Sequence, residues 1–142
     1  MGKYENKKRS ELVKELTRCS ALARAIETGA TTRAFPDVYM CHEIAALIEV
    51  KIDDKDGPAW NRKISFQDGQ YSFLERNAAK GGYSFVAVFY KNGVLFSHIN
   101  DIDKETERPL PRNFLFLNQI KGNGELLLAW INTFERGKGH QA

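Results

Sequence analysis

The sequence predicts an α/β fold, a single domain over residues 1–142 in which a mixed sheet is flanked by helices. Three observations carry this prediction. Near the N-terminus, "ENKKRSELVKELTRC" places Leu12, Val13 and Leu16 at helical spacing among mostly charged positions. Short apolar runs bounded by turn residues follow, and a second group of them comes after another helical stretch. Strand groups set among helices argue for helices packed on a mixed sheet. At 142 residues, with 42% hydrophobic and 27% charged residues, the chain suffices for one core and has an ordinary globular composition.

The elements read in order as follows. "ALARAIE" (21–27), with Thr28-Gly29 behind it, predicts a short strand ending in a turn. "PDVYM" (36–40) and "IAALIEVKI" (44–52) are the next two strands, joined by Cys41-His42-Glu43 as a tight hairpin connection. The polar "DDKDGPAWNRK" (53–63), broken by Gly57-Pro58, is a loop. Ser65 is the expected cap of a helix that carries Tyr71, Phe73 and Leu74 and stops at Gly81-Gly82. "YSFVAVFY" (83–90) is the plainest strand; "KNG" signals a hairpin to "VLFSHI" (94–99). Residues 100–123, with Pro109 and Pro111, read as loop, and "GELLLAWINTF" (124–134) as a C-terminal helix. The mostly apolar 44–50 and 83–90 segments are expected at the centre of the sheet.

Several classes are set aside. No apolar run approaches membrane-spanning length, and "MGKYENKKRSE" has no apolar signal-peptide core. The expectation is an intracellular protein, in cytoplasm or nucleoid, or in host cytoplasm if viral, with no membrane partner. Cys19 and Cys41 lack the CxxC spacing of a zinc site or a disulfide framework. The net charge of +3 is compatible with nucleic acid. Its distribution says more: Lys3, Lys7, Lys8 and Arg9 crowd the N-terminus, and Arg33, Lys51, Lys55, Arg62 and Lys63 flank the second and third strands.

The end of the third strand carries the chemistry. Glu49 and Lys51 share one face of a strand by period-two geometry. A buried strand has little use for either. Cleaving a phosphodiester requires a hard cation to polarise the phosphate, an activated water and neutralisation of the developing charge. Magnesium takes oxygen ligands and needs only one or two carboxylates from a protein. Asp37 and Glu49 can supply these, and the Val50 carbonyl a third oxygen. Lys51 is then either the base that orients the water or an electrostatic stabiliser of the phosphate.

Pro36-Asp37 followed by Glu49-Val50-Lys51 resembles the PD-(D/E)XK nuclease superfamily, whose core is restriction-endonuclease-like. The wider stretch, about residues 8–98, resembles Holliday-junction resolvases of the archaeal Hjc type and their phage and viral relatives. In those proteins a helix precedes a strand ending near a Ser-Gly turn, here Thr28-Gly29. The PD and ExK strands, a helix, and a "GG-x-x-F-V-A-V" strand with its hairpin partner follow. The resemblance implies a magnesium-dependent endodeoxyribonuclease, with manganese substituting, active in DNA recombination and repair. It implies Asp37 and Glu49 as metal ligands and Lys51 as catalytic. It also implies a role near the centre for Gln70, which matches a glutamine of related nucleases. One position departs: where these resolvases carry a metal-binding glutamate in the first helix, this chain has Arg9. Either the helix register differs, or Glu5 on nearly the same face takes the role, or two carboxylates suffice; Glu11 points almost oppositely.

Thr28, Thr31, Thr32 and Arg33, in the loop before Asp37, suit phosphate contact. Lys7, Lys8 and Arg9 are expected to grip an adjoining duplex arm. Branched DNA is the expected partner. Two symmetric cuts across a four-way junction call for a two-fold homodimer, to which Phe85, Phe89, Phe96, Phe114, Phe116 and Trp130 could contribute, with "RNFLFL" (112–117) the segment expected at the surface. Trp60, in the loop after Lys51, suits stacking on an unpaired base. The alternatives are a restriction-like or repair nuclease acting on duplex, flap or single-stranded DNA, and a catalytically inactive DNA-binding module of the same fold.

Overall fold

In a computed structural model, which describes residues 2–26 and 35–139, the chain forms a six-stranded mixed sheet with helices on both faces. Helix α1 spans Lys3–Arg18. Strands β1 (Leu22–Ala25), β2 (Val38–Cys41) and β3 (Ala45–Ile52) form an antiparallel meander. Helix α2 (Gln70–Ala79) crosses over to β4 (Tyr83–Tyr90), which lies parallel to β3. Then β5 (Gly93–His98) and β6 (Leu115–Leu117) complete the sheet antiparallel, and α3 (Gly124–Gly139) closes the chain.

The strands lie side by side in chain order from β1 to β6. β3 and β4 therefore sit at the centre, as their near-continuous apolar runs predict, because a strand covered on both faces has no polar side. The one parallel pair needs a long connection, and residues 53–82 supply it through α2.

Alternation along β3 and β4 divides the interior. Ile48, Val50, Phe85 and Ala87 face a cluster closed by Leu12 and Leu16 of α1 and by Leu127 and Ile131 of α3. Val86, Val88 and Leu95 face Leu74 of α2 together with Ala59 and Ile64 of the connection. Phe85 and Phe96 are completely buried in the first cluster, worth about 1.5–3 kcal/mol each by area removed from water. Phe85 packs on Trp130 and Phe134 of α3 at centroid distances of 5.4 and 5.1 Å. The aromatics expected at an interface thus divide. Phe85, Phe89 and Phe96 are core, Trp130 is half-buried on Phe85, and Phe116 is half-buried against Tyr90. Only Phe114 of these six stays exposed.

Glu15 fastens α1 to α3. Its carboxylate, 5% exposed, accepts the Gly124 N–H at 2.8 Å and pairs with Arg18 at 2.6 Å. A side chain from one helix thus satisfies an orphan donor at the start of another. The Arg18 bond, with the backbone N–H groups of Gly124 and Gly122, holds the Glu15 carboxyl down at about 2.

Two expectations are corrected. Helix α2 begins at Gln70 with Gly69 as its cap, so Ser65 caps nothing. Ser65 lies instead in an irregular stretch that lines a cleft. Residues 100–123 are not all loop: part of "RNFLFL" becomes β6, the sixth strand. Strand β6 can approach because Gly93 has no side chain; a Cβ there would collide with the Leu117 carbonyl and the Phe116 ring.

Candidate active site

Asp37, Glu49 and Lys51 come together at one end of the β2–β3 pair, on the α2 face of the sheet. Asp37 immediately precedes β2, and its Oδ2 accepts the Val50 N–H at 2.8 Å. Glu49 and Lys51 project to the same side of β3, and Val50 between them points into the opposite core. Lys51 Nζ lies 3.4 Å from Glu49 Oε2, with the two side chains 13% and 4% exposed.

Gln70 joins this group. As the first residue of α2 it is buried, and its Oε1 accepts from Lys51 Nζ at 2.6 Å and from the Gln67 N–H at 2.8 Å. Two donors on one side fix the amide orientation, so its Nε2 faces and donates to Glu49 Oε2 at 3.0 Å. The glutamine therefore spans the lysine and the glutamate and sets their spacing. Sequence reading missed the groups that complete this arrangement. The Phe66 ring lies 5.3 Å from Lys51 Nζ, and the Gln67 backbone holds Gln70. Neither belongs to a motif, since one acts through a ring face and the other through main chain.

The two carboxyls are poised against each other. Burial, the neighbouring Asp37 charge and a hydrogen bond shared with Asp37 push Glu49 up to about 8, against the opposing pull of Lys51. Burial also raises Asp37, but the Val50 N–H, Glu49 and the charges of Arg9 and Lys51 counter it. Without a cation, burial and the Asp37 charge favour the protonated form of Glu49. Glu49 Oε1 is buried, and no protein N–H donates to it. Two buried carboxyl groups side by side, one oxygen of which receives no N–H from the protein, are a donor set of hard oxygens, which suits a divalent cation such as magnesium. Among the described residues, no group of three or more His, Cys, Asp or Glu side chains assembles that could hold a metal.

That bears on the first helix. Arg9, half-buried, is the α1 residue whose charge reaches Asp37. Glu5, one turn earlier, lines a cleft with Lys51. Glu11 pairs with Lys8 at 3.4 Å. The helix therefore presents a cation to Asp37, and neither Glu5 nor Glu11 joins the carboxylate pair.

The cleft, about 700 Å³, opens beside Lys51 and runs past Asp53, Lys55, Arg62 and Phe66 to Tyr90. Arg62 is engaged there by Asp53 at 2.9 Å, and Lys63 by Glu107 at 3.1 Å. Trp60 packs edge-on against Phe114 at 4.8 Å, which accounts for its half-burial. Of the N-terminal basic residues, Lys7 is exposed, while Lys8 folds over the Tyr4 and Phe89 rings at 5.4 and 5.6 Å. Thr28, Thr31, Thr32 and Arg33 lie outside the described residues.

No protein-family model and no curated protein matches the sequence. Solved structures do match. The Hjc Holliday junction resolvase of Archaeoglobus fulgidus, an archaeal hyperthermophile, superposes with a TM-score of 0.54 over 73% of this chain and 84% of that one, at 18% identity. The chain has the restriction-endonuclease-like fold of that resolvase. At this identity the likeness establishes architecture. It agrees with the fold class and the helix–strand order that the PD and ExK motifs imply. No described helix is long and apolar enough to cross a membrane.

Proposed function

We propose that the protein is a metal-dependent, structure-specific endodeoxyribonuclease that resolves four-way DNA junctions by paired symmetric nicks, acting as a homodimer. The observation that carries this reading is the buried Asp37–Glu49–Lys51–Gln70 constellation, with a Glu49 oxygen that no protein N–H reaches, on the fold of a junction resolvase. Asp37, Glu49 and the Val50 carbonyl would hold Mg²⁺, with Mn²⁺ substituting. Bound there, the ion would polarise the phosphate and acidify a water.

The chain's own groups do the rest. Glu49 surrenders its proton when it takes up a ligand role, because metal ligation requires the carboxylate form. Gln70 holds Lys51 at hydrogen-bonding distance, so that the ammonium is placed before substrate arrives. From that position Lys51 orients the attacking water and offsets charge developing on the phosphate. Arg9 adds a second positive group beside Asp37, and the exposed Lys7 tracks the backbone of an adjoining arm. These contacts position DNA without reading its sequence, so binding falls steeply with salt.

Asp37→Asn and Glu49→Gln test the assignment. Both are expected to abolish cleavage while leaving junction binding, measured by gel shift, within a fewfold of the parent. A variant that cuts at the parent's rate would refute the site; a parent that binds junctions tightly without cutting under magnesium or manganese would favour an inactive module.

A further inference from the structure

Phe35 and Phe73 form an aromatic pair at the edge of the carboxylate centre. Their ring centroids are 5.0 Å apart and tilted by 44°. Phe35 is 40% exposed, one of few large apolar side chains so open to water. Both are tethered to the centre itself. Phe35 directly precedes Pro36-Asp37, and an extended dipeptide spans at most about 7 Å. Phe73 stands one helical turn beyond Gln70, about 5–6 Å along the same face of α2, and Gln70 donates to Glu49.

An exposed phenylalanine has a cost in water, and the ring it touches does not cover it. Neither Phe35 nor Phe73 lines the cleft beside Lys51, while both stand next to residues of the carboxylate centre. A strand whose phosphate is held at Asp37 and Glu49 therefore brings a base within reach of the rings. Aromatic side chains beside a backbone-tracking groove bind bases by stacking, without regard to sequence. Paired bases inside a continuous duplex have no free face to offer; bases at a branch point do.

Resting on the nuclease reading above, we infer that the Phe35–Phe73 pair stacks on the exposed face of the nucleobase flanking the scissile phosphate, and so selects branched over continuous DNA.

The test is binding of a four-way junction carrying 2-aminopurine next to the cleavage site, in Ca²⁺ so that no strand is cut. It compares the parent with Phe35→Tyr and Phe35→Leu. Stacking predicts that Phe35→Tyr keeps both affinity and the fluorescence change, and that Phe35→Leu loses the change and binds about tenfold more weakly. Binding to linear duplex should not differ among the three. A Phe35→Leu protein that matches the parent in affinity and signal overturns the inference alone, since an apolar packing role would survive that change. A lowered sedimentation mass for Phe35→Leu would also overturn it, by assigning the pair to contact with a second copy. A parent that binds no DNA overturns the nuclease reading and this inference together.

Discussion

Replacing Glu49 by Gln removes one titrating proton and keeps the side-chain shape, so it isolates the electrostatic cost of the carboxylate pair. In the folded protein Glu49 is pushed up to about 8 from its ordinary 4.5. A raised carboxyl means that the folded state binds the proton more tightly than the unfolded chain does. Its contribution to stability is therefore fully present below about 4.5 and is lost as the pH rises toward about 8. The loss runs at about 1.4 kcal/mol per pH unit and reaches about 4 kcal/mol near the upper end, a sizeable part of a typical 5–15 kcal/mol domain stability. Burial of His98 works the other way, lowering its pKa, so that stability rises as pH approaches 6.5. That term is common to both proteins and cancels in their difference. Urea unfolding in chelator from about pH 5 to 8 should then show the parent and Glu49→Gln nearly equal at the acid end. The variant should be more stable by several kcal/mol at the alkaline end. Parallel curves would refute the claim that Glu49 is protonated in the metal-free fold.

Gln70→Ala should leave the fold intact and cut the cleavage rate about 10–100-fold, the usual loss when a group that orients metal ligands is removed; single-turnover rates on a bound substrate report it without interference from affinity. Arg9→Gln should weaken junction binding and reduce the salt slope by about one, measured by titration at several salt concentrations. Glu15→Ala strands the buried Gly124 N–H and should cost about 1–3 kcal/mol. Because Glu15 is held down at about 2, the parent should lose this contribution as pH falls from 4.5 toward 2, and the variant should lack that acid limb in thermal melts.

Much of the architecture was legible from periodicity. The mostly apolar runs of β3 and β4 state that both are central, and a helical stripe at Leu12 and Leu16 gives α1 its buried face. The ExK spacing placed Glu49 and Lys51 on one face, and their packing in the fold agrees. The start of α2 was not legible at Ser65. The cap is Gly69 in the left-handed region (φ 85°), a conformation that glycine reaches without Cβ strain, and no hydroxyl takes part. Strand β6 was hidden because it is three residues long, sits on an edge beyond two prolines, and forms only where Gly93 lets it approach. At the site, local pattern could mark which residues carry charge. It could not say that Arg9 reaches Asp37 while Glu11 turns to Lys8, since that depends on how α1 docks on the sheet.

The most direct test is to incubate the purified protein with an end-labelled four-way junction and magnesium, beside a linear duplex of the same sequence, and to map the products. Paired nicks placed symmetrically across the branch point, with the duplex intact and Asp37→Asn inert, are the predicted result. Equal cutting of junction and duplex would contradict structure-specific resolution, and no cutting with either magnesium or manganese would contradict the nuclease centre itself.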